Sequence, residues 1–83
     1  MEKIFISHES NDAKLVSMIQ KHLRKYNTWT YKDVRSGRNY ENAILESIKE
    51  SSAAILILSP EFFSSDYIMD IELPLLMKNK DKY

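Results

Sequence analysis

Residues 53–73 read AAILILSPEFFSSDYIMDIEL, and the order of residue types along them decides the fold. The unbroken apolar run from Ala53 to Leu58 predicts a strand covered on both faces. It stops at Ser59-Pro60, where proline removes a ladder donor and the chain must turn. Paired serines, an aromatic and two carboxylates, Asp70 and Glu72, follow at the start of a helix. Parallel α/β sheets bind ligands just outside the carboxyl ends of their strands. The polar groups of this stretch therefore fall where such a sheet does chemistry.

Outward from that stretch the pattern alternates. Lys3 to Ser7 (KIFIS) is a β-branched and aromatic run that predicts a central strand. Ser10 and Asn11 can each accept from the free amides that open a helix. Val16, Ile19, Leu23 and Tyr26 then recur at three- and four-residue steps, the stripe of an amphipathic helix. Thr28 to Tyr31 has strand propensity, with Trp29 packing under a helix. Lys32 to Asn39 holds the only glycine, Gly37, and reads as a loop. Asn39 is placed to cap a second helix carrying Ala43, Ile44, Leu45 and Ile48. Phe62 and Phe63 are expected to anchor the turn after the third strand. The order β-α-β-α-β-α predicts a parallel sheet with right-handed crossovers and helices on both faces.

Composition narrows the class. Eighty-three residues make one small domain, which buries only about 60% of its unfolded surface. Twelve basic side chains balance twelve acidic ones, which argues against a dedicated nucleic-acid partner. Absence of cysteine excludes disulfides, thiol catalysis and zinc-thiolate sites. No apolar run approaches the roughly 18 residues of a membrane span, and MEKIFIS lacks the apolar core of a signal peptide. A soluble, cytoplasmic protein is expected. Neither histidine has a metal-ligand partner at useful spacing, so no metal is expected. The polar tail from Lys78 to Tyr83 brings no fourth strand. The expectation is therefore a domain spanning 1–83 that is incomplete at its C-terminus, poorly stable alone and prone to edge pairing.

Three pieces in order, KIFISHESND, WTYKDVRSG and LILSPEFFSSDYIMDIEL, resemble a bacterial TIR (Toll/interleukin-1 receptor homology) domain. Phe5, Ile6, Ser7 and His8 match the end of the family's first strand. Asp33 and Gly37 match its loop after the second strand. Ser59, Pro60, Phe62, Ser65, Tyr67 and Glu72 match the third strand's end and the acidic helix beyond. The resemblance covers the N-terminal portion of a flavodoxin-like fold, truncated before the later strands.

What the resemblance implies is one of two functions in signalling or defence. Many family members cleave NAD+ at the nicotinamide–ribose bond when self-associated, with NAD+ as substrate and no further cofactor. Others are non-catalytic interaction modules that bind themselves or other TIR domains. In the enzymatic members a glutamate on the helix after the third strand faces an oxocarbenium-like ribose. Glu72 holds that position here in the motif Tyr, two residues, Asp, one residue, Glu. Other members carry the glutamate four residues after the aromatic, where this chain has Ile71, so Asp70 stands as its rival. An acid in the first turns of a helix is also favoured by the macrodipole alone. Ser7, His8, Ser65 and Tyr67 are the implied substrate contacts, Tyr67 standing where the family often has tryptophan. Arg35 and Arg38 around Gly37 suit a pyrophosphate, or a carboxylate on a neighbour.

Pro74 cannot donate to Asp70 and its ring clashes there, which predicts a kink beside Glu72. A receiver-like phosphoacceptor site would need acidic residues where Ser7-His8 and Ser59-Pro60 stand. A Rossmann turn needs more than one glycine. Both are excluded.

Overall fold

The run Lys3–Ser7 forms β1, the middle strand of a three-stranded parallel sheet ordered β2-β1-β3. The computed structural model describes residues 2–34 and 39–79. After β1, a 3-10 turn (Ser10–Asp12) leads into α1 (Ala13–His22), β2 (Asn27–Trp29) and a second 3-10 turn (Tyr31–Asp33). Helix α2 (Tyr40–Glu50) returns to β3 (Ala53–Leu56). A short α3 (Pro60–Ser64), a π-helical turn (Ile68–Glu72) and α4 (Leu73–Lys78) follow. Phe5 pairs in register with Trp29 on one side and Ala54 on the other. The chain crosses from β1 to β2 in one direction and from β2 to β3 in the other. Right-handed crossovers therefore set α1 and α2 on opposite faces.

Side-chain alternation along β1 feeds both faces. Phe5 is fully buried with Ile44 and Ile48 of α2 and Leu76 of α4, and stacks on Trp29 at 5.6 Å between centroids. Trp29 thus packs under α2, as the sequence reading expected. Ile6, its side chain on the opposite face, is also buried, as are Val16 of α1 and Phe62 of α3.

Several local readings are corrected. Helix α1 ends at His22, so Tyr26 leaves the predicted stripe and stands 47% exposed in the following turn. The 3-10 turn leading into α1 is capped by Glu9 rather than by Ser10 or Asn11, and α1 itself has no side-chain cap. The Glu9 carboxylate accepts from the Asn11 amide at 2.8 Å and from the Ser10 hydroxyl at 2.9 Å. Strand β2 stops at Trp29 because Thr30 begins a capped turn. Its hydroxyl accepts from the Lys32 amide, and its own amide donates to Asp33 at 2.9 Å. Asn39 caps α2 as predicted, accepting from the Asn42 amide at 2.9 Å.

The larger correction concerns β3. Its carboxyl end is not covered on both faces, Leu56 being 37% and Leu58, just past the strand, 64% exposed, and among the described residues it lies at the sheet's edge. An apolar run signals low polarity and cannot say whether a neighbouring strand or helix covers it. Ser59-Pro60 ends the strand but opens α3. Ser59 Oγ accepts from the Phe62 amide, and proline occupies the first turn, where its missing donor costs nothing. Phe62 is buried by that turn while Phe63 stays exposed. Among the described residues no helix is long and apolar enough to cross a membrane.

Candidate active site

Ser7 ends β1, and its side chain is closed off from solvent. Its hydroxyl donates to Glu72 Oε1 at 2.8 Å, joining residues 65 positions apart. Glu72 is only 3% exposed. Pro74 explains how it comes to face inward. In an α-helix its ring would press on the carbonyl of Asp70. The chain widens instead into a π-turn, in which the Leu73 amide donates to the Ile68 carbonyl five residues back. The predicted kink is thus a π-bulge, a distortion frequent at functional sites. Asp70, two residues earlier on the same turn, is exposed. It borders a separate apolar groove with Leu45 and Pro74.

Glu72 forms part of the wall of an open cleft of about 320 Å³ at the carboxyl edge of the sheet. The strand order reverses there, the usual ligand position in such folds. Four rings line it in sequence. His8 meets Tyr31 at 5.0 Å, Tyr31 meets Tyr40 edge-on at 6.3 Å, and Tyr40 meets Tyr67 edge-on at 5.9 Å. Ser65 lines the rim, its hydroxyl accepting from the Ile68 amide at 3.3 Å. Among the described residues no Lys or Arg lines the cleft.

The electrostatics follow from that wall. Burial raises the Glu72 carboxyl above its usual range, and the Ser7 hydrogen bond opposes the rise. Tyr40 and Tyr67 are both pushed up to about 12, by burial first and by the charge of Glu72 second. Their hydroxyls therefore stay protonated. Tyr31 is raised by burial and then by the charges of Glu9 and Glu72.

The structure gathers Ser7, His8, Ser65, Tyr67 and Glu72 into one cleft. Ser7 reaches it through Glu72, and Tyr67 lines the cleft while also packing on the core. Arg35, Gly37 and Arg38 lie outside the described residues. Tyr31 and Tyr40 were not anticipated. The available signal was an aromatic just past a strand end and another at a helix start, both facing the carboxyl edge. Among the described residues no group of His, Asp or Glu side chains could hold a metal ion.

The family model of the TIR domain matches residues 4–82. The chain is also similar to the uncharacterized protein y4lF of Sinorhizobium fredii, with 27% identity over 94% of this chain. It spans 26% of that relative's length.

Proposed function

The chain belongs to the TIR domain family, and from that premise we propose that its cleft hydrolyses NAD+ at the nicotinamide–ribose bond. One observation carries the reading: a buried carboxylate in a cleft lined by aromatic rings, with no Lys or Arg among the described cleft residues. A flat cation suits that environment. Nicotinamide in NAD+ is a positively charged ring, attracted both to ring faces and to Glu72.

The chemistry needs little else. As the bond between ribose C1′ and the pyridine nitrogen breaks, its electron pair passes to nitrogen and nicotinamide leaves neutral. Positive charge builds on the ribose, where ionised Glu72 stabilises it. Water adds at C1′ and its proton passes to solvent, giving ADP-ribose. Ser7 fixes the carboxylate and keeps it ionised at lower pH than burial alone would allow. Self-association, general among TIR domains, is proposed to accompany activity.

The test is nicotinamide release from NAD+ by concentrated protein, followed by chromatography. Glu72→Gln should lose at least about a hundredfold in turnover, while Asp70→Asn should retain it. A loss confined to Asp70→Asn would overturn the assignment. A second reading, a non-catalytic module binding other TIR domains, is supported by the open β3 edge and the exposed Leu58 and Phe63. A folded, associating wild-type protein that releases no nicotinamide would favour it.

A further inference from the structure

The chain is neutral as a whole but not along its length. Between Ala13 and Tyr31 the formally charged side chains are Lys14, Lys21, Arg24 and Lys25, with no acid among them. Between Tyr40 and Met77 seven acids stand against one base, Lys49. The fold turns that order into space. Right-handed crossovers set α1 and α2 on opposite faces of the sheet, and α4 packs with α2 on Phe5. The α1 face is therefore basic and the opposite face acidic. Each also exposes apolar surface. On α1, Met18 is 54% and Leu15 46% exposed. Helical spacing sets Met18 between Lys14 and Lys21, and Met18 shares a surface hollow with Lys21, Arg24 and Lys25. The result is an apolar ridge in a basic frame. On the other face, α2 and the segment through the π-turn and α4 border a groove of about 360 Å³. It is lined by Leu45, Ile71, Pro74 and Leu75, by the carboxylates of Glu41 and Asp70, and by one base, Lys78.

Among the described residues no salt bridge within the chain engages Lys14, Lys21, Arg24, Lys25, Glu41 or Asp70. We propose that the α1 ridge of one copy docks in the α2–α4 groove of a second copy, the α1 lysines set against Glu41 and Asp70. A partner of single charge would use only one of these surfaces. Both signs stand on one neutral chain, each beside exposed apolar side chains, and that selects a second copy. A symmetric α1-to-α1 contact would set lysine against lysine. Surfaces on opposite faces of the sheet cannot both engage the same neighbour. The contact is therefore heterologous, and copies stack head to tail. The inference rests on the self-association proposed above and names its surfaces, while the catalytic reading stands apart from it.

Sedimentation velocity over a concentration series, at low and at high salt, tests the proposal. Wild type should associate at low salt and about tenfold or more weakly at high salt. The double variant Lys14→Glu, Lys21→Glu should stay monomeric at low salt, and so should Glu41→Lys, Asp70→Lys. An equal mixture of the two variants should associate again, because reversed lysines then meet reversed acids. That rescue also shows that both variants are folded. Wild-type association that neither variant changes, or that salt leaves untouched, would overturn the inference alone and give the contact to another surface, such as the β3 edge. A mixture that stays monomeric would overturn it too. Wild-type protein that is monomeric at every concentration would remove self-association and the inference with it, and nicotinamide release from the same samples would still decide the catalytic reading. Wild-type binding to phosphatidylserine vesicles that Lys14→Glu, Lys21→Glu abolishes, with sedimentation unchanged, would assign the α1 face to a lipid surface instead.

Discussion

Two glutamates bonded to opposite ends of β1, Glu50 from α2 and Glu72 from the π-turn, have their titration pushed in opposite directions. At the amino end Lys3 Nζ lies 2.9 Å from Glu50 and 3.2 Å from the Ser47 hydroxyl, and 5.6 Å from the centre of the Trp29 ring. The Glu50 carboxyl is exposed, and the hydrogen bond and charge of Lys3 lower its pKa. At the carboxyl end Glu72 is buried against a hydroxyl, and its pKa is raised. Three residues of strand separate Lys3 from Ser7. The amino end satisfies its charges as stable folds do. The carboxyl end keeps a carboxylate in apolar surroundings and strands His8 Nε2 and Tyr67 OH. A fold retains such a conflict where a site uses it.

The sharpest break in that contrast is at Glu72. Its substitution by glutamine should abolish turnover, yet stabilise the protein at neutral pH. The sign follows from linkage. A carboxyl whose folded pKa is raised holds its proton in the folded state at pH values where the unfolded chain has released it. Its stability contribution is full below the unfolded value, near 4.5, and is lost as pH rises through the folded value. Glu72→Gln keeps an oxygen for the Ser7 hydroxyl and removes the buried charge. It should gain about 1 kcal/mol at pH 7, with the gain vanishing towards pH 4. Urea titrations of both proteins at several pH values measure this. A variant less stable than wild type at pH 7 would mean that Glu72 is well solvated or paired.

Next in size is Ser7. Its hydroxyl opposes the burial of Glu72, so Ser7→Ala should raise the carboxyl further. The acid limb of the pH–rate profile should move to higher pH, with activity falling about tenfold near its foot and recovering in alkali. A loss equal at every pH would instead assign Ser7 a contact with substrate.

How much of this was legible in the sequence follows the same division. β1, the capped α2 and the alternation of strands and helices are written in local chemistry and periodicity. Glu72 was legible through its motif, and Pro74 announced a distortion beside it. That Glu72 faces the cleft while Asp70 is exposed needed coordinates, because a π-turn rotates side chains away from α-helical spacing. Tyr31 and Tyr40 were missed because an isolated tyrosine just past a strand or at a helix start carries no local signal of a site. Only the fold brings residues 31, 40 and 67 into ring contact. The run from Ala53 to Leu58 misled for the opposite reason. Composition read as a strand covered on both faces, whereas what lies over a strand is a non-local fact.

The smallest effect belongs to the amino end, where the comparison is also easiest to break. Glu50→Gln removes an exposed partner of Lys3, and exposed ion pairs contribute little. Lys3 keeps the Ser47 hydroxyl and the Trp29 ring, so the strand is still held after the substitution. The expected outcome is unchanged nicotinamide release and a slight fall in Tm that high salt erases, since screening already weakens the wild-type pair. Turnover that falls with Glu50→Gln while Tm holds would show that the two ends of β1 are coupled through the Phe5–Trp29 stack, and that the amino end belongs to the site.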